Sequence, residues 1–260
     1  MKGAIIGDIV GSVYEWHNIK TKEFPLFQKR STFTDDTVMT CAVAKAFLEA
    51  EKDGMPLVEH MTRSMQTLGR QNPFRGYGSH FGRWIYDEDP QPYNSLGNGA
   101  AMRASPAGFL GKTAEDAYAL GELTAMPTHN HPEGLKAAGI TAALIWLARH
   151  GADKDEMYRY VSGKYVIPDL DTIRPAYRFD VTCMGTMPVA LAAFFESESF
   201  EDAIRNAISV GGDSDTIGAI TGSIAEAYYG VPEEIWQEAR SLLNYELAEI
   251  VDAFYAHKWE

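Results

Sequence analysis

Gly211-Gly212-Asp213-Ser214-Asp215-Thr216-Ile217-Gly218-Ala219-Ile220 passes from a glycine pair, through two carboxylates and a threonine, into a stretch with helical spacing. Ile217, Ile220, Ile224 and Tyr228 fall on one face of that helix, because residues three and four apart share a side of the 3.6-residue turn. Thr34-Asp35-Asp36-Thr37 repeats the arrangement and leads into a second face, Met39, Ala42, Val43, Ala46, Phe47 and Ala50. Leu135, Ala138, Ala142, Ile145 and Trp146 mark a third. Segments 113–126, 153–162, 186–197, 200–210 and 232–257 also read as helices. Pro232 before Glu233 and Glu234 is a good helix opening, with proline in the first turn and acids at the positive end of the dipole.

Strand signals are confined to Lys164–Ile167, which has a short β-like pattern. The expected fold is therefore all-α, with Gly218, Gly222 and many alanines permitting close helix approach. Loops are expected at 17–33, 70–99 and 164–181. The second is long and rich in Gly, Pro, Tyr and Asn, and long loops inside compact domains are often functional. No linker, low-complexity segment or tandem repeat divides the chain, so residues 1–260 are expected to form a single domain.

The 260 residues are 45% hydrophobic, enough for a sizeable core, and carry 23 Lys+Arg against 36 Asp+Glu, a formal net charge of −13. That balance excludes a general phosphate-backbone binder and leaves room only for a local basic patch. Cys41 and Cys183 are the two cysteines, without a CxxC pair, so neither a disulfide framework nor a cysteine zinc site is expected. Asp8 interrupts the apolar run at the start before it reaches signal-peptide length, and no stretch approaches a membrane span. The expected location is the cytoplasm, with no membrane partner.

Asp and Thr are also the residues that cap helices, their side-chain oxygens accepting from the free backbone N–H groups of the first turn. A cap needs one side chain, however, and adjacent carboxylates repel each other. Both clusters carry the extra acid. Brought together by the fold, they would make an all-oxygen site for one or two hard cations, Mg²⁺, Mn²⁺ or Ca²⁺. The lack of His or Cys in either cluster speaks against zinc. Two such ions about 3.5–4 Å apart can orient sugar or phosphate oxygens and activate a water. Between the clusters, Gly97 and Gly99 allow backbone amides to approach a ligand closely, and the helix that follows would present its N-terminus to an anion such as a diphosphate.

Five motifs occur in order: Gly7-Asp8-Ile9-Val10-Gly11-Ser12-Val13-Tyr14-Glu15, Phe33-Thr34-Asp35-Asp36-Thr37, Gly97-Asn98-Gly99-Ala100-Ala101-Met102-Arg103, Thr128-His129 and Gly211-Gly212-Asp213-Ser214-Asp215-Thr216. In this the chain resembles the ADP-ribosylglycohydrolases, the group of dinitrogenase reductase-activating glycohydrolase and the ADP-ribosyl-acceptor hydrolases. The resemblance implies a compact orthogonal helical bundle with a binuclear Mg²⁺ or Mn²⁺ site. Carried over by position, Thr34, Asp35, Asp36, Asp213, Asp215 and Thr216 would be metal ligands. Glu15 would be catalytic, as general base, water positioner or gate, and Asp36 is the alternative group to take the water's proton. Asn94, Ser95, Leu96, Gly97, Asn98, Gly99 and His129 would contact ADP-ribose, and some relatives carry an aromatic residue where Leu96 stands.

In relatives the stretch from Phe179 to Thr186 lies near the adenosine, which would make Cys183 and Gly185 contacts and leaves Phe179 or Tyr177 as a candidate to stack on adenine. Core packing is the favoured role for either ring, and adenine stacking the alternative. His131 stands too close to His129, at i, i+2, for a convincing ligand pair. The implied reaction is hydrolysis of the bond between the distal ribose of ADP-ribose and an acceptor. Arginine on a protein is the default acceptor on family grounds; serine, a nucleobase and O-acetyl-ADP-ribose fit the same ribose site. Two rival functions share the residues: a two-metal nucleotide-diphosphate phosphohydrolase, and a non-catalytic ADP-ribose-binding or structural protein, since kinship of fold does not itself establish chemistry.

Overall fold

The computed structural model describes residues 1–259, and among them helices are the regular structure. In chain order they are α1 Lys2–Gly11, α2 Asp35–Asp53, α3 Leu57–Gln71, α4 Ser79–Trp84, α5 Gly99–Met102, α6 Ala107–Leu110, α7 Ala114–Ala125 and α8 Pro132–Arg149. Then come α9 Lys154–Ser162, α10 Leu170–Ile173, α11 Cys183–Phe195, α12 Phe200–Ser209, α13 Ser214–Tyr229, α14 Glu233–Ser241 and α15 Tyr245–Ala256. The one β feature among the described residues is an isolated antiparallel bridge between Gly97 and Thr182. The fold is all-α, and among the described residues no helix is long and apolar enough to cross a membrane.

The contact that organises the site is α1 on α13. Gly3, Gly7 and Gly11 recur every fourth residue along α1 and so lie in one stripe. A Cβ on Gly3 would sit 2.0 Å from the Gly222 carbonyl oxygen, one on Gly7 2.0 Å from that of Gly218, and one on Gly11 2.4 Å from the Asp215 Cα. The helices therefore meet backbone to backbone, and the last turn of α1 presses on the first turn of α13. Gly218 and Gly222 permit the close approach their sequence suggested. The opposite faces of α1 bury Ile5, Ile6, Ile9 and Val10 completely, in a core shared with α2, α11, α12 and α13.

Several elements differ from the sequence expectation. Helix α1 and the amphipathic α3 were not among the expected helices. The 232–257 stretch is two helices, α14 and α15, because Asn244 turns the chain and its side chain accepts the Leu247 N–H as an N-cap. The helix expected at 186–197 begins earlier, at Cys183, where Thr182 Oγ1 accepts the Gly185 N–H. The β-like stretch 164–167 forms no strand, and the expected loops 70–99 and 164–181 contain the short helices α4 and α10.

Candidate active site

The first acidic cluster is built around a buried carboxylate on α1. Asp8 is fully buried and accepts four hydrogen bonds: its Oδ2 from the Thr34 N–H (3.0 Å), the Thr37 N–H (3.0 Å) and the Thr37 hydroxyl, its Oδ1 from the Thr34 hydroxyl (2.7 Å). Two donors at the start of α2 that would otherwise be unpaired are thereby satisfied. Thr34 is the N-cap, with its Oγ1 accepting the Asp36 N–H at 3.3 Å. The Asp35 N–H donates to the Arg75 carbonyl at 2.8 Å, which ties the cluster to the 70–78 loop.

The second cluster is held mainly by backbone. Gly211 and Gly212 both have left-handed φ, +71° and +75°, a conformation that side-chain-bearing residues rarely adopt. Asn18 clamps the turn, its Oδ1 accepting the Gly212 N–H (2.7 Å) and its Nδ2 donating to the Gly212 carbonyl (2.9 Å). Asp213 precedes α13 without capping it; its Oδ2 instead accepts from Asn98 Nδ2 at 2.7 Å. The Ser214 hydroxyl donates to the Gly11 carbonyl, 3.1 Å away.

The two clusters meet. Thr216 Oγ1 donates to Asp36 Oδ2 at 3.2 Å, across 180 residues of sequence. Carboxylate oxygens of Glu15, Asp213 and Asp215 lie within 4.8 Å of one another. None of the ion pairs among the described residues involves Asp8, Glu15, Asp35, Asp36, Asp213 or Asp215. Their proton affinities rise accordingly. Burial, then the charges of Asp213 and Asp8, push Glu15 up to about 7, and the Trp16 side chain offsets part of this. Burial and the Asp8 charge push Asp35 up to about 8. Asp36 stands well above the ordinary range, from burial and then Asp8; Asp215 does so from burial and then Asp213. Asp36 Oδ1 is buried without a hydrogen-bond partner. An acidic, all-oxygen group with an orphaned buried carboxylate oxygen and no cation of its own fits a bound divalent metal ion.

These groups open into a cavity of about 630 Å³. Of the residues expected in the site, Glu15, Asp35, Asp36, Asn94, Ser95, Leu96, Gly97, Asn98, Gly99, His129, Asp213, Asp215 and Thr216 line it. Thr34, Cys183 and Gly185 do not. The Thr34 hydroxyl donates to Asp8 Oδ1 at 2.7 Å and also lies 3.4 Å from Asp36 Oδ2. Cys183 buttresses the glycine loop, its N–H donating to the Leu96 carbonyl (2.9 Å) and its thiol to the Gly97 carbonyl (3.0 Å). Gly185 accepts the Tyr177 hydroxyl and leaves room for the Asp180 carboxylate, which a Cβ would meet at 2.1 Å.

Asn94 adopts a left-handed φ of 54° and donates its N–H to Asn130 Oδ1, turning the chain into the glycine loop. The Asn98 N–H then donates to the Val181 carbonyl at 2.8 Å. The helix after this loop, α5, is a single turn of four residues, too short for the macrodipole expected of it. His129 faces the loop: its Nε2 lies 3.1 Å from where a Gly99 Cβ would stand. Its Nδ1 meets the Thr128 hydroxyl at 2.7 Å and an Arg103 N–H at 3.5 Å. Burial, then the Arg103 charge, holds its pKa well below the usual histidine value. His131 is instead the N-cap of α8, its ring accepting the Glu133 N–H. Tyr177 packs against Gly212, whereas Phe179 lines the cavity and stacks on Trp16.

Asp8, Asn18, Arg103 and Trp16 had no assigned role in the sequence. The legible signal for Asp8 was an acid inside the apolar run Ile5-Ile6-Gly7-Asp8-Ile9-Val10, since a buried charge needs partners.

Residues 1–259 match the family described as ADP-ribosylglycohydrolase. ADP-ribosylhydrolase ARH3 of Mus musculus is 24% identical, over 92% of this chain and 85% of its own length. ADP-ribosylarginine hydrolase Tri1 of Serratia proteamaculans (strain 568) is 25% identical, over 88% and 70%. ADP-ribosyl-[dinitrogen reductase] glycohydrolase of Rhodospirillum rubrum is 27% identical, over 89% and 84%. A solved structure described as an ADP-ribosylglycohydrolase-related protein complex superposes with a TM-score of 0.71 at 25% identity, covering 98% of this chain and 94% of the other. The chain belongs to the ADP-ribosylglycohydrolase family of hydrolases.

Proposed function

We propose that the protein is a metal-dependent ADP-ribosyl hydrolase that cleaves the bond between the distal ribose of ADP-ribose and an acceptor, arginine on a protein being the preferred one. The observation that carries this is the meeting of the two clusters at Asp36 and Thr216, beside a glycine-lined cavity sized for a nucleotide conjugate. Asp35, Asp36, Asp213, Asp215 and Thr216, with Thr34 at the edge, would hold two divalent cations, Mg²⁺ or Mn²⁺. Bound there, the cations supply Lewis-acid chemistry toward the ribose hydroxyls and a water.

The protein's own groups do the rest. Gly97, Asn98 and Gly99 bring backbone close to the diphosphate, with His129 as a neutral hydrogen-bonding group beside them. The carboxylates of the site would stabilise the positive charge that develops at the anomeric carbon as the acceptor departs. Glu15, raised to about 7, suits proton abstraction from water near neutral pH, and Asp36 is the other candidate base. The distal ribose then receives the hydroxyl, and the acceptor leaves with a proton.

A product assay tests the reading. Incubation with ADP-ribosylated arginine should release free ADP-ribose with Mg²⁺ or Mn²⁺ and not with EDTA. AMP or inorganic phosphate as product would establish the phosphohydrolase instead. Asp36→Ala and Asp215→Ala should each lower turnover about 10³-fold, the scale for removing a group that stabilises transition-state charge; full activity in either, with the fold intact by circular dichroism, would sink the model.

A further inference from the structure

Trp16 is 73% exposed and Phe179 42% exposed, yet their rings stack with centroids 5.3 Å apart and planes at 23°. Neither ring belongs to the hydrophobic core. Two large aromatics from segments far apart in the chain thus meet where burial does not demand it, and both line the main cavity.

Their anchors converge on the carboxylates. Trp16 directly follows Glu15, whose carboxylate lies within 4.8 Å of those of Asp213 and Asp215. Phe179 lies in the segment whose Val181 carbonyl accepts the Asn98 N–H, and Asn98 in turn donates to Asp213. The stack is therefore tied on both sides to the place where the glycosidic bond would break.

We propose that the Trp16–Phe179 stack is an acceptor platform. It receives the planar cationic guanidinium of an ADP-ribosylated arginine and discriminates against hydroxyl-linked acceptors such as serine. This inference rests on the glycohydrolase reading above and names the side chains that select the acceptor at the same site. The face of an aromatic ring is negative and attracts a cation held over it. A guanidinium is planar and weakly hydrated, so it can lie flat on such a face while its edge N–H groups remain free for a carboxylate. Glu15, next to Trp16 in the chain, supplies that carboxylate. A serine acceptor has neither a plane nor a charge to use it. The already formed stack offers a wide, pre-oriented surface, so little ordering is required when the acceptor arrives.

The test compares kcat/KM for release of ADP-ribose from ADP-ribosyl-arginine and ADP-ribosyl-serine peptides, alongside the Kd of free ADP-ribose. Wild type should favour arginine. Phe179→Ala and Trp16→Ala should each lose about two- to fivefold more on arginine than on serine, the scale of a cation–π contact at an exposed site, while the Kd of ADP-ribose stays unchanged. Phe179→Tyr and Trp16→Phe, which keep a π face, should restore most of the preference; Phe179→Leu, apolar but without one, should not. Because Trp16 neighbours Glu15, the Phe179 variants decide the matter if the Trp16 variants lose all activity. Equal losses on both peptides, rescue by leucine, or a matching loss of ADP-ribose affinity would overturn the platform. Wild-type preference for serine would overturn it and leave the glycohydrolase reading standing. Release of ADP-ribose from neither peptide would overturn that reading, and the platform with it.

Discussion

The two acidic helix starts look alike in sequence and are held by opposite means. The Thr34–Thr37 start is positioned by a side chain that is present: Asp8 on α1 accepts four hydrogen bonds from Thr34 and Thr37. The Asp213–Thr216 start is positioned by side chains that are absent. Two left-handed glycines turn into it, and Gly11, three residues beyond Asp8 on the same helix, lets its backbone touch α1. One helix is thus the bearing for both halves of the site. Charge-assisted hydrogen bonds hold one half and backbone proximity the other.

The difference predicts different failures. Asp8→Ala leaves four donors at the start of α2 without their acceptor, two of them backbone N–H groups. It should destabilise the protein by about 2–4 kcal/mol, since lost bonds to a charged acceptor and the orphaned donors both count. Divalent-ion affinity should fall by about 10–100-fold, the usual effect of removing a group that orients metal ligands. Chemical denaturation and metal titration measure the two effects. An unchanged metal affinity would mean that Asp8 holds the fold and not the site.

Gly11→Ala probes the other half with a smaller expected effect. The added Cβ would lie 2.4–2.5 Å from Asp215 Cα and N and the Ser214 carbonyl oxygen, all backbone atoms that cannot swing aside. Overpacking of this kind costs about 1–3 kcal/mol. It should displace Asp215 while leaving the Thr34–Asp36 half in place, so metal titration should lose affinity without the full stability loss of Asp8→Ala. Equal damage by both substitutions would erase the distinction between the halves.

That asymmetry also explains what could be read from the chain. The second cluster announced itself because its glycine pair and its regular Ile217, Ile220, Ile224 spacing are local signals. The first was legible as a cap carrying one acid too many. Helix α1 was hidden because it is buried nearly all round, which leaves no polar face to reveal a period. Its Gly3, Gly7, Gly11 stripe was the available clue. Asp8 stood inside a quoted motif, but its role depends on α2 docking beside α1, a long-range fact. Thr34, Cys183 and Gly185 show the converse: they do not line the cavity, and the hydrogen bonds that tie them to Asp8, the Gly97 carbonyl and the Tyr177 hydroxyl are long-range contacts no local pattern announces. Trp16 was unreadable because stacking with Phe179 couples two distant loops.

The gentlest way to compare the halves is pH. Glu15 rises from 4.5 to about 7 and Asp35 from 3.8 to about 8. Both folded values lie above the unfolded ones, so the folded metal-free protein binds more protons. The stabilisation associated with those protons is complete below about pH 4 and is lost as pH climbs through 7 to 8. A divalent cation takes the place of the protons, so its binding should release them and should stabilise most where they are already gone. The gap between the Tm with Mg²⁺ and the Tm with EDTA should therefore widen from pH 5 to pH 8. Asp35→Asn should flatten the upper part of that rise and Glu15→Gln the lower part. The Glu15 share should be the smaller, because its carboxyl is raised less far, from 4.5 to about 7, than that of Asp35, from 3.8 to about 8. A gap that stays constant with pH would place the ions away from both carboxylates, and a rise abolished by either substitution alone would mean that the two halves titrate as one.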